Sequence, residues 1–97
     1  MAFRIEIDPL AAADIEEIRD WIAERSPARA TVWQDRLLEA IATMASFPRR
    51  CPRALERDDY PGEVRKLLYG RRSQFRVLFG IEGEVVRVLA VLNSAGG

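Results

Sequence analysis

The chain has 97 residues and no net charge, with 48% hydrophobic and 31% charged side chains, an ordinary globular composition and the length of one domain. It contains no histidine and one cysteine, Cys51, which excludes an intrachain disulfide, a multi-thiolate or histidine-rich zinc site, and serine–histidine or cysteine–histidine catalysis. Neutrality conceals a split: residues 1–48 hold five arginines against nine acids, and residues 49–97 hold ten basic groups against six acids. A basic half of this kind suits an acidic or polyanionic partner, or pairs with the acidic half of its own chain. Fourteen of the fifteen basic residues are arginine, whose planar fork fits carboxylate and phosphate. No run of about 18 apolar residues and no apolar leader occurs, so a cytoplasmic protein without a membrane partner is expected.

The opening residues alternate Phe3, Ile5 and Ile7 with Arg4, Glu6 and Asp8, the period of a half-buried strand over residues 3–7. Asp8-Pro9 then reads as a helix cap followed by the first helical position. Leu10, Ile15, Ile18, Trp21 and Ile22 form an apolar stripe to about Arg25, with Glu16, Glu17 and Asp20 on the solvent side. Ser26-Pro27 repeats the cap, and Val32, Trp33, Leu37, Ala40, Ile41 and Met44 make a second stripe ending before Phe47-Pro48. Both tryptophans are expected in the core. Two helices joined this tightly form an antiparallel hairpin.

Pro48, Pro52 and the Pro61-Gly62 turn mark residues 47–62 as a loop. Its arginines 49, 50, 53 and 57 are expected to pair on the surface with Glu56, Asp58 and Asp59, and Cys51 to be an idle thiol. Residues 63–70, 74–81 and 84–92 are rich in β-branched and aromatic side chains and read as three strands. Pairing Ile81 with Glu84 places Phe79 by Val86, Val77 by Val88 and Phe75 by Ala90, an apolar face for the helices to cover. The same register sets Leu78 opposite Arg87 and Arg76 opposite Leu89 on the open face. Pairing Tyr69 with Gln74 adds Tyr69 and Arg65 to that face and turns Lys66 toward the helices. The expected fold is α+β, β-α-α-β-β-β, a helical hairpin on one face of a small, mainly antiparallel sheet.

This element order, with "DPLAAADIEEIRDWIAE", "FPRRCPRALERDDYPGEVRKL", "QFRVLF" and "VVRVLAVLNSA" in sequence, resembles the RelE/ParE toxins of type II toxin–antitoxin systems over nearly the whole chain. The resemblance implies a plasmid-stabilisation type of toxin that arrests growth and is neutralised by a cognate antitoxin. ParE-like members act on DNA gyrase by protein contact; RelE-like members are ribosome-dependent mRNA endonucleases whose arginine, lysine and tyrosine side chains cleave without metal. On this chain a nuclease would use Arg65, Arg76, Arg87 and Tyr69. A partner surface would comprise Arg65, Tyr69, Arg76, Leu78, Arg87 and Leu89, with neither metal nor cofactor. Family members often close on a histidine and an arginine where this chain has Asn93 and Gly96. That departure favours the ParE-like reading over the nuclease, or a degenerate, non-toxic binding module.

Overall fold

Two short polar side chains, each followed by proline, start the helices. In the computed structural model, which describes residues 2–54 and 60–94, the Asp8 carboxylate accepts the Leu10 N–H at 3.1 Å and α1 runs Pro9–Ala23. Ser26 Oγ accepts the Arg29 N–H at 3.2 Å, and α2 runs Pro27–Ala42 into a 3-10 turn at Thr43–Ala45. Each cap satisfies a donor that the helix leaves unpaired, at a position where proline sacrifices no hydrogen bond. Ala11, Ile15 and Ile18 of α1 and Ala30, Trp33, Leu37 and Ile41 of α2 are buried. Three stripe residues depart from the sequence reading: Leu10, Trp21 and Val32 are 74%, 37% and 48% exposed. Arg25 lies over the Trp21 ring instead, 4.6 Å from its centroid, a cation–π contact.

The strands β1 (Arg4–Ile7), β2 (Glu63–Tyr69), β3 (Phe75–Glu82) and β4 (Val85–Asn93) form one sheet in the order β1-β4-β3-β2. β1 runs parallel to β4, and the other pairs are antiparallel. The helical hairpin covers one face, where Val77, Phe79, Val86 and Val88 are fully buried against Leu37, Ile41 and Met44. Trp33, Tyr69 and Phe75 close one end of this core, with the Trp33 and Phe75 ring centroids 5.3 Å apart. β1 stops at Ile7, opposite Val88, and the Asp14 carboxylate on α1 accepts the Val91 N–H at 3.0 Å beyond that point. An acid in the early turns of α1 therefore ties that helix to β4. Among the described residues no helix is long and apolar enough to cross a membrane.

Both expected strand registers are corrected. Tyr69 pairs with Phe75, not Gln74, because the β2–β3 connection contains a 3-10 turn at Arg71–Ser73 and one more residue than expected. Side chains alternate faces, so this single-residue shift turns the whole of β2 over. Leu67 and Tyr69 move to the helix side, while Lys66 leaves it and pairs with Leu78. The shift places two apolar bodies in the core and spares a lysine burial. In the other hairpin Glu82 pairs with Val85, and Gly83 supplies the left-handed turn residue at φ 57°. Near the turn this differs by two residues from the expected register and keeps the same faces. A bulge between Leu78 and Phe79 then sets Leu78 opposite Ala90, Val77 opposite Val91 and Arg76 opposite Leu92. Arg87 consequently lies opposite Gly80 rather than Leu78, and Arg76 does not face Leu89.

Candidate functional site

The face turned away from the helices divides into three zones along the strands. At one end Arg87 donates to Glu6 at 3.1 Å and stands 3.7 Å from Glu82, while Arg4 pairs with the other side of Glu6 at 2.9 Å. Donation from Arg4, assisted by Arg87, holds the Glu6 carboxyl below the usual carboxylate range, so it stays ionised. At the other end Arg76 lies between Leu68 and Leu92 in one row across the sheet; the two leucines are 48% and 39% exposed. Arg76 and Arg87 thus share the open face, as read from the sequence, but at opposite ends.

The middle zone is covered. Ala54 and Tyr60 from the proline-bearing segment pack with Val64, Leu78 and Leu89, the last two 1% and 7% exposed. Ala54 N–H donates to the Val64 carbonyl and Lys66 N–H to the Pro52 carbonyl, so Pro52–Ala54 lies along the outer edge of β2. Tyr60 donates its hydroxyl to Glu82 with its ring over Gly80. A Cβ at position 80 would meet the ring at 2.6 Å, so glycine is what lets the tyrosine lie flat. Gly80→Ala is expected to lift the ring and cost about 1–3 kcal/mol. Urea midpoints of Gly80→Ala, Tyr60→Ala and the double variant check this, and the two losses should fail to add because both remove one contact.

Arg65 and Tyr69 are not on this face. Arg65 pairs across the strands with Phe79, donates to the Cys51 carbonyl at 2.6 Å and binds Glu63 through Nε. Arg49 approaches Glu63 from the loop side at 3.3 Å, and together these groups bolt the loop to β2. The Arg65 guanidinium holds the Glu63 carboxyl below its ordinary range. Arg50 donates to the Ser46 and Phe47 carbonyls and to Thr43 Oγ1 at the end of α2, which makes it a helix-end clamp. Pairings with Glu56, Asp58 and Asp59, and the position of Arg57, lie outside the described residues, as does Gly96. The Tyr69 hydroxyl donates to the Trp33 carbonyl at 3.1 Å, and burial raises its pKa, so it is a structural phenol behind the sheet. Burial likewise pushes up the Cys51 thiol, in keeping with an idle cysteine.

The family model for the ParE toxin of type II toxin–antitoxin (parDE) systems matches residues 5–96. The chain belongs to the ParE toxin family. No curated protein matches this ParE-family toxin in sequence. Among solved structures, the chromosomal ParDE system from P. aeruginosa is similar to it at TM-score 0.76 and 21% identity, covering 95% of this chain and 96% of the other. The toxin–antitoxin complex RelBE2 from Mycobacterium tuberculosis is similar at TM-score 0.61 and 19% identity, covering 96% and 92%. The helical hairpin on a four-stranded mixed sheet is therefore the fold of both toxin branches.

In this ParE-family toxin the open face also holds residues that strand periodicity could not single out. Glu6 and Glu82 decide the state of Arg87, yet Glu6 reaches it only because β1 joins β4 in parallel. Leu68 and Leu92 flank Arg76 only because of the corrected β2 register and the bulge in β4. No group of carboxylate or thiol side chains among the described residues is arranged to hold a metal ion. At one end, this face presents Arg76 in a row between two exposed leucines.

Proposed function

We propose that this toxin arrests growth by contact with a protein target, DNA gyrase, and is held inactive by an antitoxin whose acidic, apolar segment lies on the open sheet face. The separation of the arginines carries this reading. A phosphodiester on the open face would not meet Arg65, Tyr69, Arg76 and Arg87 together, because two lie behind the sheet and Arg87 is engaged by Glu6 and Glu82. Cleavage by positioned cations requires them to converge on one phosphate. Asn93, where relatives often carry histidine, instead accepts from the Gln74 amide at 3.2 Å, a contact that fastens the end of β4 to β3.

An antitoxin partner is supported by both structural relatives, a ParDE system and a RelBE2 complex. On this chain Arg76 and its flanking Leu68 and Leu92 are the contacts we assign to it, with Arg87 at the far end. Leu78 and Leu89 could join only if Tyr60 and Ala54 moved aside. Induced expression tests the proposal: growth arrest with a DNA-damage response and intact mRNA is expected, relieved by the product of the adjacent reading frame. Purified toxin should block supercoiling by gyrase. Translation-dependent mRNA cleavage on induction overturns the assignment in favour of the nuclease reading. Expression without a growth defect would make the chain a non-toxic binding module.

A further inference from the structure

On the helix side of the sheet, a groove of about 590 Å³ lies between the end of α1, the first half of α2 and the β2–β3 turn. Its centre is apolar and uncovered: Trp21 and Val32, both lining it, are 37% and 48% exposed. Around that centre stand Arg25, Arg29, Arg36 and Arg71, and no acidic side chain among the described residues lines it. Arg29, Val32 and Arg36 recur at three- and four-residue spacing along one side of α2. None of the four guanidinium groups forms an ion pair with a described residue, whereas Arg4, Arg19, Arg49, Arg65 and Arg87 all do. Arg25 is held in place by the Trp21 ring and by donation to the Trp21 carbonyl at 3.3 Å.

We infer that this groove docks an acidic segment of a partner protein, its carboxylates on the arginines and one aliphatic or aromatic side chain seated between Trp21 and Val32. One observation favours a protein over a nucleic acid. Arg25 lies over the exposed Trp21 ring, 4.6 Å from its centroid, so that face is closed to a stacking base, and Val32 beside it adds aliphatic surface, which suits a side-chain anchor inside a polar rim. Unpaired guanidinium forks supply the complement to carboxylates. Because the groove and Arg76 lie on opposite sides of the sheet, the toxin can carry an antitoxin segment on one side and a second acidic protein on the other. This second site stands or falls independently of the antitoxin assignment.

The test is selection of a random phage-displayed peptide library on the folded toxin and on an Arg29→Glu/Arg71→Glu double variant. Both substituted residues are exposed, and circular dichroism verifies that the double variant is folded. Selected peptides should combine acidic residues with a large apolar one, and a synthetic copy should bind the double variant at least about tenfold more weakly. Arg76→Glu should leave that affinity unchanged. Selection of basic or uncharged sequences, equal binding to the double variant, or no saturable peptide binding overturns the inference. So does a single-stranded oligonucleotide that binds the groove more tightly than the selected peptide does.

Discussion

Replacing Phe79 by alanine is expected to lower the melting temperature by at least about 12 °C, from a loss of about 3–5 kcal/mol. Phe79 is fully buried in an inner strand, paired with Arg65 on one side and Val88 on the other. Truncation leaves a cavity between two sheet neighbours and the helical hairpin, in a close-packed core that relaxes only in part. A domain of this size commonly has only about 5–15 kcal/mol of stability in total, so the variant stands near the edge of folding. It should lose growth arrest through depletion of folded protein, a loss that lower temperature partly restores. Differential scanning calorimetry decides the matter, and a shift of only a few degrees would show that the core repacks.

Charge reversal at Arg76 is expected to act at the interface and weaken antitoxin binding strongly. Arg76 is half-buried between two exposed leucines, where a docked segment would remove its charge from water. Truncating one partner of such a desolvated charge pair costs about 2–5 kcal/mol, so Arg76→Glu should reduce affinity by at least roughly thirtyfold. Isothermal titration with the product of the adjacent reading frame measures it, and unchanged affinity would remove Arg76 from the interface. Arg87→Ala is the instructive control. Arg87 faces Glu6 and Glu82, so its removal should act mainly on stability and only weakly on binding.

The sequence was most legible where a rule is local. Caps at Asp8 and Ser26 and the existence of three closing strands follow from residues within a few positions of one another, and all are found, while the helical stripes hold except at Leu10, Trp21 and Val32. Register is a different kind of information, because one additional residue in a turn reverses every side chain of a strand. The 3-10 turn at Arg71–Ser73 combines a glycine at φ 86° with Arg72 and Ser73 at positive φ, and neither of those two residues announces that conformation. That turn alone carried Arg65 and Tyr69 from the expected face to the other. The bulge at Leu78/Phe79 is equally silent, since β4 is apolar at nearly every position and gives no alternation to break. Arg76 and Arg87 kept their face because the error near the β3–β4 turn was an even number of residues. The covering of Leu78 and Leu89 by Tyr60 depends on how the proline-bearing segment folds back, which composition does not encode.

The placement of β4 between β1 and β3 governs when this toxin can come into being. Arg4 has no sheet partner until Val85 arrives, and the strand that supplies it also completes the antiparallel pair with β3. A nascent chain leaving the ribosome can form its helical hairpin early, but the sheet under that hairpin closes only after Val85–Asn93 has emerged. Synthesis interrupted anywhere before that point yields a chain missing an interior strand rather than an edge. A nonsense or frameshift mutation before Val85 is therefore expected to disarm the toxin as thoroughly as one in β1.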